Sequence, residues 1–273
     1  MISLFEILKE VIAQPKAIIL AGAPGAGKGS ILGDLDLGGL KTFNLDDTIL
    51  ALSKSDGFSL NQKDTDAESR SAFMKAMATA TSQLKGNPKK GIKGDIPQAI
   101  EDKESFILDG TSSSANETKK LVDQLKKAGY DILMLYVYAD LETVLKRNEA
   151  RFEKSKGKDR SLMPSAVYKT WLSVANNFET YQQMFGDNFV PFSNVGENET
   201  MRDVEKILKK YIYPFKPKDA KPKTEKELAR SKKSAEKLNK EIQDFLNSNR
   251  VKNIIDNSVS KEEAQAKISK FIK

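Results

Sequence analysis

A run of nine residues, Gly22-Ala23-Pro24-Gly25-Ala26-Gly27-Lys28-Gly29-Ser30, has the composition of an anion cradle. It follows an apolar stretch, Ala17-Ile18-Ile19-Leu20-Ala21, of the kind that forms a buried parallel strand. Glycines at this spacing let the backbone curl until successive N–H groups converge on one phosphate. The helix expected to follow adds its positive end, roughly half an elementary charge. Lys28 supplies a mobile point charge for the outer phosphates. The position after the lysine commonly carries the hydroxyl that meets Mg²⁺; here it is Gly29, and the hydroxyl comes one residue later at Ser30.

Two acidic centres follow. Asp46 and Asp47 come after Lys41-Thr42-Phe43-Asn44-Leu45, read as a second strand. A phosphoryl acceptor needs a base or an orienting carboxylate, and the sequence points to Asp46 for that part. The pair also suits the cap of a helix beginning at Thr48. Asp109 ends a third apolar strand, Phe106-Ile107-Leu108-Asp109, where a carboxylate can hold Mg²⁺ or its waters, or simply close the strand. Three arginines complete the set. Arg147 and Arg151 are four apart and share a helical face, and Arg160 follows in a segment that also carries Lys154, Lys156 and Lys158. Guanidinium forks suit phosphate oxygens and the charge that develops on them in transfer. The basic segment reads either as a closing lid or as a solvated loop.

The elements that must position these groups alternate. Strands are expected at 17–21, 41–45, 105–110, 131–138 and 188–192, with helices at 64–84, 116–128, 141–151, 164–185 and 200–211. Strand–helix alternation implies a parallel sheet with its ligand at the carboxyl ends of the strands. The expected fold is therefore α/β, with a five-stranded parallel sheet and a C-terminal helical tail; the glycine loop resembles that of P-loop NTPases, which implies their three-layer fold.

Charge is distributed unevenly along the 273 residues. Residues 214–273 hold 16 Lys and Arg against 9 Asp and Glu, so the whole excess of +7 lies in that tail. The chain contains neither cysteine nor histidine, which excludes disulfides and histidine acid–base chemistry. The first residues lack the shape of a signal peptide; Ile2, Phe5, Leu8 and Ile12 instead share one helical face. No stretch reads as a membrane span, and a cytoplasmic protein is expected.

Taken together, GAPGAGKGS, FNLDD, FILDGT and KRNEAR, in that order, resemble P-loop kinases of the zeta toxin and polynucleotide kinase type. The loop itself resembles that of adenylate kinase and related nucleoside monophosphate kinases. The resemblance covers about residues 15–212 and implies ATP and Mg²⁺ as ligands. It places the base at Asp46, phosphate contacts at Arg147 and Arg151, and the metal and acceptor near Ser30 and Asp109. The segment around Arg160 and the helix after it look like zeta toxins. Polynucleotide kinases carry an arginine three residues after the base, for the acceptor's phosphate; Ile49 stands there instead.

The expected organisation is a kinase domain over 1–213, with a leading helix at 1–16 and a lid at 152–163, then a basic linker and helical tail over 214–273. The expected activity is transfer of the γ-phosphoryl group of ATP to a hydroxyl of a nucleotide, nucleotide sugar or polynucleotide 5′ end. The rival expectation is an interaction protein whose nucleotide domain no longer transfers phosphate. The tail reads as a helical hairpin, packed on itself or on the kinase domain, or as the docking site of a protein partner. Nucleic acid ranks below protein there, because the tail has few aromatic residues for base stacking.

Overall fold

The computed structural model describes residues 14–33, 40–58, 60, 67–154, 162–195 and 258–272, with isolated positions between 226 and 254. The expected leading helix, the lid residues 155–161 with Arg160, the helix at 200–211 and the linker after 213 lie outside the described residues.

The elements run β1 (Lys16–Ala21), α1 (Lys28–Gly33), β2 (Lys41–Asn44), α2 (Leu45–Asp56), α3 (Ala67–Lys85), α4 (Asp95–Glu101), β3 (Phe106–Asp109), α5 (Ala115–Lys127), β4 (Asp131–Tyr138), α6 (Leu141–Lys154), α7 (Pro164–Asn176), α8 (Phe178–Phe185), β5 (Phe189–Ser193) and α9 (Lys261–Ile272). All strand pairs are parallel, in the order β2-β3-β1-β4-β5. Successive residues of β1 and β4 are buried alike. Neighbouring strand residues face opposite sides of a sheet, so both faces are covered, as a parallel sheet requires. The chain leaves β1 toward one edge and β4 toward the other, which opens a crevice at the carboxyl ends of the central strands.

Three local outcomes differ from the sequence reading. The second strand stops at Asn44, because the Asn44 side chain accepts hydrogen bonds from the backbone N–H groups of Asp46 and Asp47 and starts α2. Asp46 and Asp47 therefore stand in the first turn of a helix, not at the end of a strand, and Asn44 rather than the aspartates is the cap. Residues 86–94 form a compact turn closed by an antiparallel bridge between Asn87 and Ile92, and it leads into α4, a helix not among those expected from the sequence. The helix expected over 164–185 is broken at Asn177 into α7 and α8. Tyr136, Phe178 and Phe189 pack at that break with ring centroids 5.2–5.6 Å apart, joining α8 to β4 and β5.

The end of the tail is part of the core. Ser260 caps α9 through the Glu263 N–H. Ile254, Ala264 and Ile268 are fully buried in the same cluster as the central strands. Val259 pairs in parallel with Phe192, and its N–H donates to the Pro191 carbonyl at 3.0 Å. Proline is tolerated on an edge strand, and here a residue of the tail covers that edge. At the far end of α9, Lys16 donates to the Phe271 carbonyl, and its ammonium lies 4.6 Å from the Phe271 ring centroid. A cation at a helix C-terminus is favourable. Burying one isoleucine contributes about 1.5–3 kcal/mol. A chain ending before Ile254 is thus expected to lose about 3 kcal/mol or more of stability, read as a lower urea midpoint. An unchanged midpoint would show that the tail adds nothing to the core.

Candidate functional site

The crevice is built around the glycine loop after β1. Gly25 and Gly27 have φ of +85° and +91°, a conformation that favours glycine. Space forbids a side chain as well. A Cβ on Gly25 would stand 2.6 Å from the Val144 carbonyl of α6, and one on Gly27 2.1 Å from Nδ2 of Asn194. The loop is tied to its neighbours. The Gly22 N–H donates to the Thr111 carbonyl at 3.1 Å, and the Ser112 hydroxyl to the Leu20 carbonyl at 2.7 Å. The Lys28 ammonium folds back over the loop and donates to the carbonyls of Gly22 at 2.9 Å and Ala23 at 3.3 Å. The Ser30 hydroxyl is exposed and donates to the Gly27 carbonyl at 2.7 Å.

Register brings the acidic centres to this loop. Asn44 and Asp109 are partners across the β2–β3 ladder, and Asn44 Nδ2 donates to Asp109 Oδ2 at 2.9 Å. One asparagine thus caps α2 through its oxygen and fixes Asp109 through its nitrogen. Burial pushes the Asp109 carboxyl above the usual carboxylate range; the charges of Lys28 and Arg151 pull it back, and those of Asp46 and Asp47 push it further up. Lys28, Asp46, Asp47, Asp109 and Arg151 therefore share one electrostatic field. Asp46 is half-buried and Asp47 is exposed. Asp47 also lines an open cleft of about 470 Å³ along β2, together with Lys41, Asn44, Thr48, Gln83 and Asp95.

The two arginines of α6 are put to different uses. Arg147 Nη1 donates to the Asn194 carbonyl at 3.2 Å, just after β5. Arg151 is exposed, and its charge reaches Asp109. The helix that carries them is anchored by Asp140, which accepts from the Thr143 N–H at 2.7 Å and its hydroxyl at 2.8 Å. The loop after β3 is held by residues at the helix break: Tyr181 donates to the Ser112 carbonyl, and Asn177 Nδ2 donates to the Ser113 carbonyl at 2.9 Å. The sequence reading gave Asn44, Asn177, Tyr181 and Asn194 no part in the site. Only Asn44 left a signal there, as an asparagine directly ahead of an acidic first turn.

No group of three or more Asp, Glu, His or Cys side chains among the described residues forms a metal cage. Magnesium bound with a nucleotide needs none, since one or two carboxylates and phosphate oxygens suffice. A half-buried strand-end carboxylate with one oxygen fixed by Asn44, beside the Lys28 loop, fits that donor set. The raised carboxyl also gives a stability prediction. Its ionised form costs stability above its folded pKa, and the cost fades as pH falls through that value into the ordinary carboxylate range. Without metal or nucleotide, Asp109→Asn is expected to melt higher than the parent at neutral pH, with the difference shrinking as pH is lowered. A variant that melts lower at neutral pH would contradict the burial argument.

Residues 77–198 match the family model described as zeta toxin. The match runs from α3 to just past β5 and takes in Asp109, Arg147 and Arg151; the glycine loop precedes it. No curated protein is similar enough in sequence to match the chain. Among solved structures, the AvrRxo1-ORF1:-ORF2 complex with ATP is similar at 17% identity over 96% of this chain and 82% of that one, with a TM-score of 0.46. The PezAT toxin–antitoxin system of Streptococcus pneumoniae is similar at 15% identity over 88% of this chain and 94% of that one, TM-score 0.41. A chain of the Pnkp1/Rnl/Hen1 RNA repair complex is similar at 19% identity over 61% of this chain and 46% of that one, TM-score 0.39. Within the described residues no helix is long and apolar enough to cross a membrane. Over residues 77–198, from α3 to just past β5, the chain resembles the zeta toxin family.

Proposed function

We propose that the protein is an ATP-dependent kinase that moves the γ-phosphoryl group to a hydroxyl of a nucleotide, nucleotide sugar or polynucleotide 5′ end. One observation carries this reading: a glycine loop with its lysine and a set of strand- and helix-end carboxylates meet in one crevice, close enough for Lys28 and Arg151 to act on Asp109. Residues Gly22–Ser30 hold the phosphates, and Lys28 exchanges its two loop carbonyls for phosphate oxygens. Asp46 takes the acceptor's proton as its oxygen bonds to the γ-phosphorus and the bond to the β-phosphate oxygen breaks, leaving ADP. Arg151 and Arg160 stabilise the charge on the transferring group. Arg147 holds the loop after β5 and has donors left over for phosphate. Ser30 and Asp109 would hold Mg²⁺, which when bound neutralises charge on the β- and γ-phosphates.

Calorimetric titration of ATP tests the nucleotide half of the proposal. Binding at one site per chain, tightened by Mg²⁺, supports it. No binding of ATP with or without Mg²⁺ would overturn it.

A further inference from the structure

We propose that Asn194 is a positioning residue for the phosphate loop, one that fixes the direction of the Gly27 amide. The inference rests on the reading of Gly22–Ser30 as an ATP phosphate site. Asn194 is held at three points. Its backbone N–H donates to the Tyr138 carbonyl at 2.6 Å, its carbonyl accepts from Arg147, and its side-chain Nδ2 donates to the Ala26 carbonyl at 2.8 Å.

The last bond sets the geometry. Ala26 and Gly27 share a planar trans peptide, in which the C=O and N–H point in opposite directions. Holding the Ala26 carbonyl toward Asn194 turns the Gly27 N–H away from it. Glycine tolerates either sign of φ, so the 26–27 peptide is free to flip unless something outside the loop holds it. Asn194 is that hold. The same glycine is needed for the carboxamide to approach at all, since a Cβ on Gly27 would occupy its position. Arg147 thereby acquires a second task, bracing from α6 the residue that braces the loop.

The test compares Asn194→Ala and the near-isosteric Asn194→Asp, which keeps the shape but cannot donate, with the parent. ATP and ADP affinities are measured by calorimetry and melting temperatures without ligand. A lost hydrogen bond and a freed amide should weaken ATP and ADP binding about tenfold in Asn194→Ala. Asn194→Asp should be weaker still, because it sets a negative charge beside the phosphates. Both should melt within about 2 °C of the parent, since the side chain's bond is local. Unchanged ATP affinity in Asn194→Ala, with the parent binding normally, would overturn the inference and leave the ATP reading standing. Asn194→Asp binding ATP as tightly as the parent would overturn it too, as would a loss of affinity matched by a large fall in melting temperature. A parent that binds no ATP would remove the reading on which the inference rests.

Discussion

Lys28→Ala is expected to lower phosphoryl transfer by about 10²–10³-fold or more, with the fold intact. The magnitude is that of removing one preorganised donor from the charge that develops in a transition state. The side chain donates to the Gly22 and Ala23 carbonyls, both within the loop. A second consequence follows from the shared field. Lys28 pulls the Asp109 carboxyl down against burial, so without metal or nucleotide its loss should raise that carboxyl further. Steady-state rates check the first and the pH dependence of melting without ligand checks the second, with melting temperature at neutral pH as a control on folding. A variant that transfers at the parent rate would remove the glycine loop from the mechanism.

Asp46→Asn is expected to cost about 10²–10⁴ in transfer rate while ATP still binds, as loss of a general base does. Asp47→Asn should stay close to the parent. The two residues are neighbours in the first turn of α2, and Asn44 fixes both of their N–H groups, so the helix start survives either change. They differ in placement. Asp46 is half-buried, whereas Asp47 is exposed and faces the open cleft along β2. Rates for the two variants at saturating ATP decide between them. If Asp47→Asn is the slow one, the roles are exchanged; if neither is slow, the pair serves only the helix start.

The parts of this site that could be read from sequence are those whose chemistry is local. β4 runs over 131–138 as its apolar stretch requires, and the glycine loop follows its strand because both signals lie in a dozen consecutive residues. Asp109 was legible because an apolar strand ends on it. The sequence also suggested that the second strand runs through Leu45 up to the aspartates, and there it misled. A capping asparagine outweighed four residues of strand pattern, because its carboxamide satisfies two helix N–H groups and a partner strand at once. Asn194 left no trace, since its meaning lies in a contact with Ala26 that spans 168 residues of sequence. For the tail, packing on the kinase domain was one of the readings the sequence offered, and the apolar residues near its end, Ile254, Ala264 and Ile268, are buried in the core cluster.

The claim that the crevice transfers phosphate is tested most directly by incubating the protein with Mg²⁺ and ATP labelled on the γ-phosphate, in the presence of nucleotides, nucleotide sugars and oligonucleotides with free 5′ hydroxyls. The account predicts label covalently attached to one acceptor class, with ADP formed in equal amount, and that signal lost in Lys28→Ala and Asp46→Asn. ATP that binds at one site per chain while no acceptor gains label would contradict it, and would leave a nucleotide-binding protein that does not act as a kinase.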